Sequence, residues 1–474
     1  MNRLDQFRRY INQHEEEMLQ DLKELVCIPS ELKDPEPGMP FGAPAAAAVQ
    51  KASEQMKRYG FSVTNYDNYV VAADFGTEEK YLDILAHLDV VPAGEGWQVT
   101  EPFVPVIRDG KIYGRGTSDD KGPAIAALYA MRMLKELGFS LQKNVRLILG
   151  SDEECGSRDL VYYYQKEKKA CCTFSPDAAF PVINIEKGGL HGNFSRHFTD
   201  STCTEKTEAG MKLLSVKAGI KLNVIPEKAY AVISGTTAEE LHPFIRAAEE
   251  ETQICFQTEE KSVGIICITA CGKSGHAADP AGGNNALTGM LLLISRLPLE
   301  DRILHDAFTF LSNAYPHGDY YGKALGVAME DDLSGQLTLS LTLFSYDGKT
   351  ISGSFDCRAP LCATNENLRD IILAKMETGG FQMDGKSMYE GHHVPADSPF
   401  VQKLLSCYTD VTGKPGKPLA IGGGTYVHHL KNGVAFGCGG EVDNHAHGAD
   451  EFMEIEHLKL CAVIFAEAIL RICG

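Results

Sequence analysis

The chain reads as an α/β protein, a mostly parallel sheet flanked by helices and interrupted by an inserted α+β lid domain. Three observations predict this. Two apolar, strand-like runs, YLDILAHL (81–88) and NVRLILGS (144–151), enclose GPAIAALYAMRMLKELG (122–138), whose spacing is that of a buried helix. Strand, long loop, helix, strand is a βαβ crossover and places the two strands parallel. Beyond residue 187 the texture changes to alternating segments such as KLLSVKAGI, KAYAVISG and QLTLSLTLFSYDG, the last two separated by helical stretches. Acidic and histidine motifs lie on both sides of that stretch, so the second domain is inserted into the first. The expected boundaries are 1–187 for the first part of the host domain, 188–383 for the lid and 384–474 for the second part.

Taken in order, residues 3–27 and 43–59 have amphipathic helix spacing, the first stopped by Pro29 and the second by Gly60. The opening segment MNRLDQFRRYINQHEEE is a helix pattern and not a secretory signal, and no apolar run has the length of a membrane span. The strand at 81–88 delivers His87 and Asp89 at its end, the helix at 122–138 stops at Gly138, and the strand at 144–151 delivers Glu153 and Glu154. Side chains at the carboxyl ends of parallel strands are where open α/β sheets build their sites.

With 474 residues, 44% of them hydrophobic and 23% charged, the sequence describes a globular protein too long for one core. Its formal charge of −19 argues against nucleic acid or an anionic membrane as partner. The fourteen cysteines include no CxxC pair, and several lie in apolar stretches, as reduced thiols packed as small hydrophobes do. A cytoplasmic protein is the expectation.

Five motifs carry chemistry. In ILAHLDVVPAG a strand sends His87 and Asp89 to one side, so that His87 can bind a metal while Asp89 holds its other ring nitrogen. GRGTSDDKGP ends at a helix start; one Asp suffices as a cap, and the other, by position Asp119, can bridge two cations. SDEECG offers two adjacent acids that can divide the labour, Glu154 on the metal and Glu153 in proton transfer. Asp177 lies in SPDAAF, which is also a turn signal. NHAHGADEF offers His445 and His447 for one remaining position. Two imidazoles, a bridging carboxylate and terminal carboxylates suit a pair of divalent cations, two Zn(II) per chain, with Mn or Co also acceptable to such O/N donors. GGGTY (422–426) lacks the Lys of a phosphate loop and reads as a turn, including Gly424 and Thr425, that lets backbone approach a substrate.

Together these motifs resemble the dinuclear zinc metallopeptidases related to aminoacylase, carboxypeptidase G and succinyl-diaminopimelate desuccinylase, and most closely their dipeptidase PepV (Xaa-His dipeptidase-like) branch. The resemblance runs from the first helix to the C-terminus through AHLDVVPAGEGW, GRGTSDDKGP, LILGSDEE, SPDAAFPVINIEKG, LNVIP, GKSGHAADP, SFDCRAP and GGGTY. It implies that His87, Asp119 and Asp177 hold one metal while Glu154 and His447 join Asp119 around the other. Asp89 and Glu153 are the implied catalytic pair. The family's last histidine is followed, after two intervening residues, by Asn or Asp and then Glu, which His447-Gly448-Ala449-Asp450-Glu451 fits and His445 does not. A cis Asp119–Asp120 peptide is also implied. In the lid, Asn223 and His276 match residues that meet the substrate, His276 at the oxyanion, and Arg358 matches one that grips a terminal carboxylate through two parallel hydrogen bonds.

The activity so implied is hydrolysis of a dipeptide with a free amino terminus. An N-acyl amino acid amidohydrolase uses the same metals on another acyl group and is the main rival. A non-catalytic metal-binding protein would have no use for Asp89 and Glu153. The long-lid branch supplies its lid histidine within one chain, so a monomer is expected. Two departures bear on the choice of peptide: His428 stands where the branch has Arg, and Gly448-Ala449-Asp450 replaces its QAN.

Overall fold

A computed structural model describes residues 2–76, 78–198, 210–439 and 442–474. Its contacts divide the chain into two compact units, residues 1–185 with 392–420 and 424–474, and residues 186–391 with 421–423.

The first unit is built on a mixed sheet. Its strands run in the order Ser62–Tyr66, Val70–Phe75, Asn144–Gly150, Lys80–His87, Cys172–Ser175, Gly433–Ala435, Val182–Glu186 and His392–His393, and Pro418–Ile421 pairs with Val182–Glu186. The centre is parallel: Lys80–His87 lies between Asn144–Gly150 and Cys172–Ser175, which pairs in turn with Gly433–Ala435. The Val70–Phe75 and Ser62–Tyr66 edge is antiparallel, as is the Gly433–Ala435 pairing with Val182–Glu186. The βαβ unit expected from the sequence is present, with helix Lys121–Glu136 as its crossover.

Both faces of this sheet are covered, which is why its central strands are mostly apolar. Leu82, Ile84 and Ala86 point into a large core with Val145, Leu147, Leu149 and the helices Lys121–Glu136 and Ile455–Cys473. Leu85 and Ile148 point the other way, into a smaller cluster with Leu160, Tyr163 and Tyr426. By the same alternation His87 and Asp83 stand on the Leu85 face. The His87 imidazole meets the Tyr426 ring edge-on, with centroids 6.2 Å apart.

One expected helix is two. The pattern over 3–27 divides into Arg3–Gln13 and Glu15–Val26 at His14, whose ring stacks on Tyr10 at 4.0 Å. Glu15, Glu16 and Glu17 then occupy the first turn of the second helix, where its exposed N–H groups favour negative charge.

The second unit carries an eight-stranded antiparallel sheet in the order Cys255–Ser262, Ile265–Cys271, Lys228–Ser234, Lys212–Ala218, Thr338–Tyr346, Thr350–Ala359, Gly188–His197 and Gln382–Met383. Helices Ala238–Thr252, Ala286–Arg296 and Arg302–Ala314 close a separate apolar core over it. The first begins in a capping box, Thr237 with Glu240. Residues 384–391 stay with this unit because Tyr389 pairs with Gly189 beyond the last strand.

Candidate metal centre

The site grows from the ends of the parallel strands. His87 closes its strand fully buried, and its Nε2 lies 3.0 Å from Asp119 Oδ1 and 3.6 Å from Asp177 Oδ2. His447 Nε2 lies 2.8 Å from Asp119 Oδ2 and 3.1 Å from Glu154 Oε1. Asp119 thus turns one oxygen to each histidine. Two groups result, His87–Asp119–Asp177 and Asp119–Glu154–His447, each with ligand atoms within 4.8 Å of one another. The donor set, one imidazole and one terminal carboxylate on each side of a shared aspartate, fits a pair of divalent cations.

His87 and the turn of Glu154 are held from behind. His87 Nδ1 is 3.0 Å from the main-chain oxygen of Asp89 and 3.5 Å from its Oδ1. The orienting contact expected from the Asp89 carboxylate is therefore made more closely by its carbonyl. The carboxylate has other work: Oδ1 and Oδ2 accept the N–H groups of Glu153 and Glu154 at 3.1 and 3.0 Å. It pins the turn that carries both acids.

The second aspartate of the Asp119–Asp120 pair departs from the simple capping reading. Asp120 occupies the N-cap position of helix Lys121–Glu136 but makes no capping bond with its side chain. Its Oδ2 instead accepts the N–H of His87 at 3.1 Å. The peptide between the two aspartates is cis, as the resemblance implied.

Glu451, the last acid of HGADE, has a role that its motif does not announce: it organises the loop of Asp119. Its buried carboxylate accepts the N–H groups of Gly116, Ser118 and Asp119 at 2.8–3.1 Å and pairs with the Arg115 guanidinium at 2.6 Å. Tyr426, from GGGTY, is a further residue the sequence reading passed over. Its hydroxyl donates to Asp159 at 2.5 Å, and the same Asp159 oxygen accepts the N–H groups of Ser151 and Asp152.

The electrostatics are those of crowded carboxylates waiting for positive charge. Burial works against a charged His87, but its bonds to Asp119, Asp177 and Asp89 prevail and raise its pKa. Bonds to Asp119 and Glu154 raise His447 to about 11. Burial would push Asp119 up, and the two histidines pull it down. Glu153 is raised by burial and by the neighbouring Asp177, Glu154 and Asp89 charges. Like Asp89 and Asp120, it is an acid at the centre that belongs to neither candidate ligand group.

In the second unit, Asn223 and His276 are brought together: Val224 pairs with His276, and Asn223 O accepts the N–H of Ala277 at 2.9 Å. Arg358 sits on strand Thr350–Ala359, with Nη1 donating to Gly422 O at 2.9 Å. In the first unit Thr425 caps the short turn Tyr426–His429 through its hydroxyl, directly after Gly424. His428 lies with its ring 6.1 Å from that of His392.

Comparison with known proteins adds an independent line. The model of peptidase family M20/M25/M40 matches residues 84–471. The chain is 36% identical over 477 residues to the Beta-Ala-Xaa dipeptidase of Lactobacillus delbrueckii subsp. lactis, covering 98% of each. It is 33% identical over 476 residues to the putative dipeptidase YtjP of Bacillus subtilis (strain 168), covering 96% of this chain and 97% of the relative. Among solved structures it is similar in fold to human carnosine dipeptidase 1, at a TM-score of 0.60 and 18% identity over 99% of each chain. The aminoacylhistidine dipeptidase of Vibrio alginolyticus matches at 0.57 and 15% over 96% of each.

Proposed function

The chain belongs to peptidase family M20/M25/M40, and from that membership we propose that it is a metal-dependent dipeptidase acting on dipeptides with a free amino terminus. The observation that carries the reading is Asp119 offering Oδ1 toward His87 and Oδ2 toward His447, the arrangement a bridge between two cations requires. His87, Asp119 and Asp177 would hold one cation, and Asp119, Glu154 and His447 the other. Two Zn(II) suit these donors, as do Mn(II) or Co(II). When bound, such a pair supplies an acidified water and an electrophile for the scissile carbonyl.

The remaining steps fall to the chain's own side chains. With Nδ1–H donated to the Asp89 carbonyl, His87 keeps the Nε2 lone pair for a ligand. Asp89 fixes the turn from which Glu153 projects. Glu153 takes the proton of the attacking water and returns it to the departing nitrogen. Asn223 and His276 are assigned to the substrate, His276 to the developing oxyanion, where one donor is commonly worth about 3–4 kcal/mol. Arg358 is assigned to the terminal carboxylate, and the backbone at Gly424 and Thr425 to the substrate's flank. The protein works as a monomer, which light scattering tests. The thirteen cysteines among the described residues are all free thiols, which suits the reducing cytoplasm.

Replacing Glu153 by Ala separates chemistry from binding. Turnover should fall by about 10²–10⁴-fold, while metal analysis still finds the cations of the unmutated protein. Retained turnover sinks the assignment. Cleavage of a free dipeptide, set beside its N-acetylated form, distinguishes a dipeptidase from an N-acyl amino acid amidohydrolase.

A further inference from the structure

Arg358 does not meet a ligand with its whole guanidinium. Asp356 lies two residues earlier on the same strand, so the two side chains share a face of the sheet. Nε of Arg358 donates to Asp356 Oδ1 at 2.7 Å, and Nη2 donates to Oδ2 at 2.8 Å. That is a side-on bidentate pair, with the Asp356 side chain fully buried and the Arg358 side chain 12% exposed. Nη1 spends a third hydrogen on the carbonyl of Gly422.

The surroundings close off the other directions. Arg358 lies opposite Gly189 across the sheet, and a Cβ on Gly189 would stand 2.4 Å from the Tyr389 hydroxyl. The phenol therefore occupies the space a side chain at 189 would take. At Gly422 a Cβ would meet Ala278 Cβ at 3.0 Å and Arg358 Cγ at 3.7 Å. On the far side of Asp356, His191 Nε2 approaches Oδ2 at 3.8 Å. A guanidinium carries five N–H groups. Three are committed to Asp356 and Gly422, and the Tyr389 hydroxyl hydrogen-bonds the same guanidinium, so what a ligand can reach is confined to what remains of the Nη1/Nη2 edge.

We propose that Asp356 is a positioning residue that makes Arg358 a one-edged receptor for a carboxylate, and thereby sets the preference for a free C-terminal carboxylate over a neutral end. This rests on the assignment of Arg358 to the substrate's terminal carboxylate. The pair is close to neutral as a unit, so discrimination comes from the fixed direction of the remaining N–H edge more than from net charge. Without Asp356 the guanidinium keeps only the Gly422 tether and turns among several orientations, most of which do not present that edge.

The test compares kcat/KM for Ala-Leu and for its C-terminal amide in the metal-loaded full chain. Asp356→Asn should lower the ratio of free acid to amide by about tenfold or more, through KM for the acid with kcat little changed. An unchanged ratio, or an equal loss on both substrates, overturns the proposal. Arg358→Lys distinguishes this from the reading beneath it. If that variant leaves the ratio intact, the carboxylate assignment itself has failed; if it collapses the ratio while Asp356→Asn does not, only the positioning role has. A second measurement guards against poor folding of Asp356→Asn. Guanidinium chloride at low millimolar concentration should restore part of the lost Ala-Leu activity to Arg358→Ala, by settling against Asp356. It should not do so in Arg358→Ala/Asp356→Asn, where neither half of the ion pair is left buried alone. No rescue, or equal rescue in both, overturns the proposal.

Discussion

Asp83 shows how much one buried side chain can say about this protein. It lies on strand Lys80–His87, four residues before His87, and is 1% exposed. Oδ1 has no hydrogen-bond partner among the described residues, and Oδ2 has only the distant N–H of Ala170 at 3.4 Å. Burial raises its pKa to about 7, against partial relief from the Arg146 charge. The sign follows by linkage. From about pH 4 to pH 7 the folded carboxyl keeps its proton while the unfolded one has lost it, so stability falls as pH rises through that window and is level above it. The loss amounts to roughly 2–4 kcal/mol. Asp83→Asn keeps the volume and removes the titration. Urea unfolding should find it more stable than the unmutated chain at pH 8 by about 1–3 kcal/mol, with little difference at pH 4.5. An equal difference at both values would falsify this account.

At the scale of elements, the part of the site that matters most is a pair of loops joined by one carboxylate. Glu451 follows the His447 loop and binds the Asp119 loop through three N–H groups and Arg115. Glu451→Ala leaves Arg115, 1% exposed, without its counter-charge, a defect that commonly costs about 3–5 kcal/mol. It should also weaken metal affinity by about 10–100-fold, because both loops carry candidate ligands. Glu451→Gln, which keeps an oxygen for the N–H groups, should lose less of each. Denaturant melts and competition with a chelator read the two effects separately; unchanged metal affinity in Glu451→Ala would mean that the loops hold their ligands without it.

What the sequence disclosed at this scale follows from how residues advertise their roles. Lys80–His87 and Asn144–Gly150 were legible because strands covered on both faces are continuous apolar runs. Ser62–Tyr66 was not, since SVTNY is largely exposed and lacks a clean alternation. The break at His14 interrupts no apolar spacing, and only the three glutamates that follow mark a new helix start. Among site residues, His87, Asp119, Glu154, Asp177 and His447 stand in short motifs with recognisable order. Asp120 and Glu451 act on backbone N–H groups, a role any carboxylate near a turn can have, so their identity gives no warning of it. Asp356 is concealed likewise, because an acid two residues from an arginine on a strand is an ordinary pair until both faces of the sheet are known.

On the scale of the whole molecule, the two units differ in what holds them. Each has its own apolar core. Both groups of side chains that could hold a metal ion belong to the first unit, and none is found in the second among the described residues. Cations that bind only the folded first unit stabilise it by mass action, by about 4 kcal/mol at a thousandfold excess over Kd. They also neutralise carboxylates that repel one another, since Asp177, Glu153 and Glu154 are all raised in part by neighbouring negative charge. Removing metal with a chelator should therefore speed amide hydrogen exchange in Lys80–His87, Asn144–Gly150 and the Asp119 loop. Exchange in Ile265–Cys271 and Thr338–Tyr346, central strands of the other core, should change by less than about twofold, as expected of separate cooperative units. If chelation accelerates both sets alike, the cores unfold as one, and metal binding governs the stability of the entire chain.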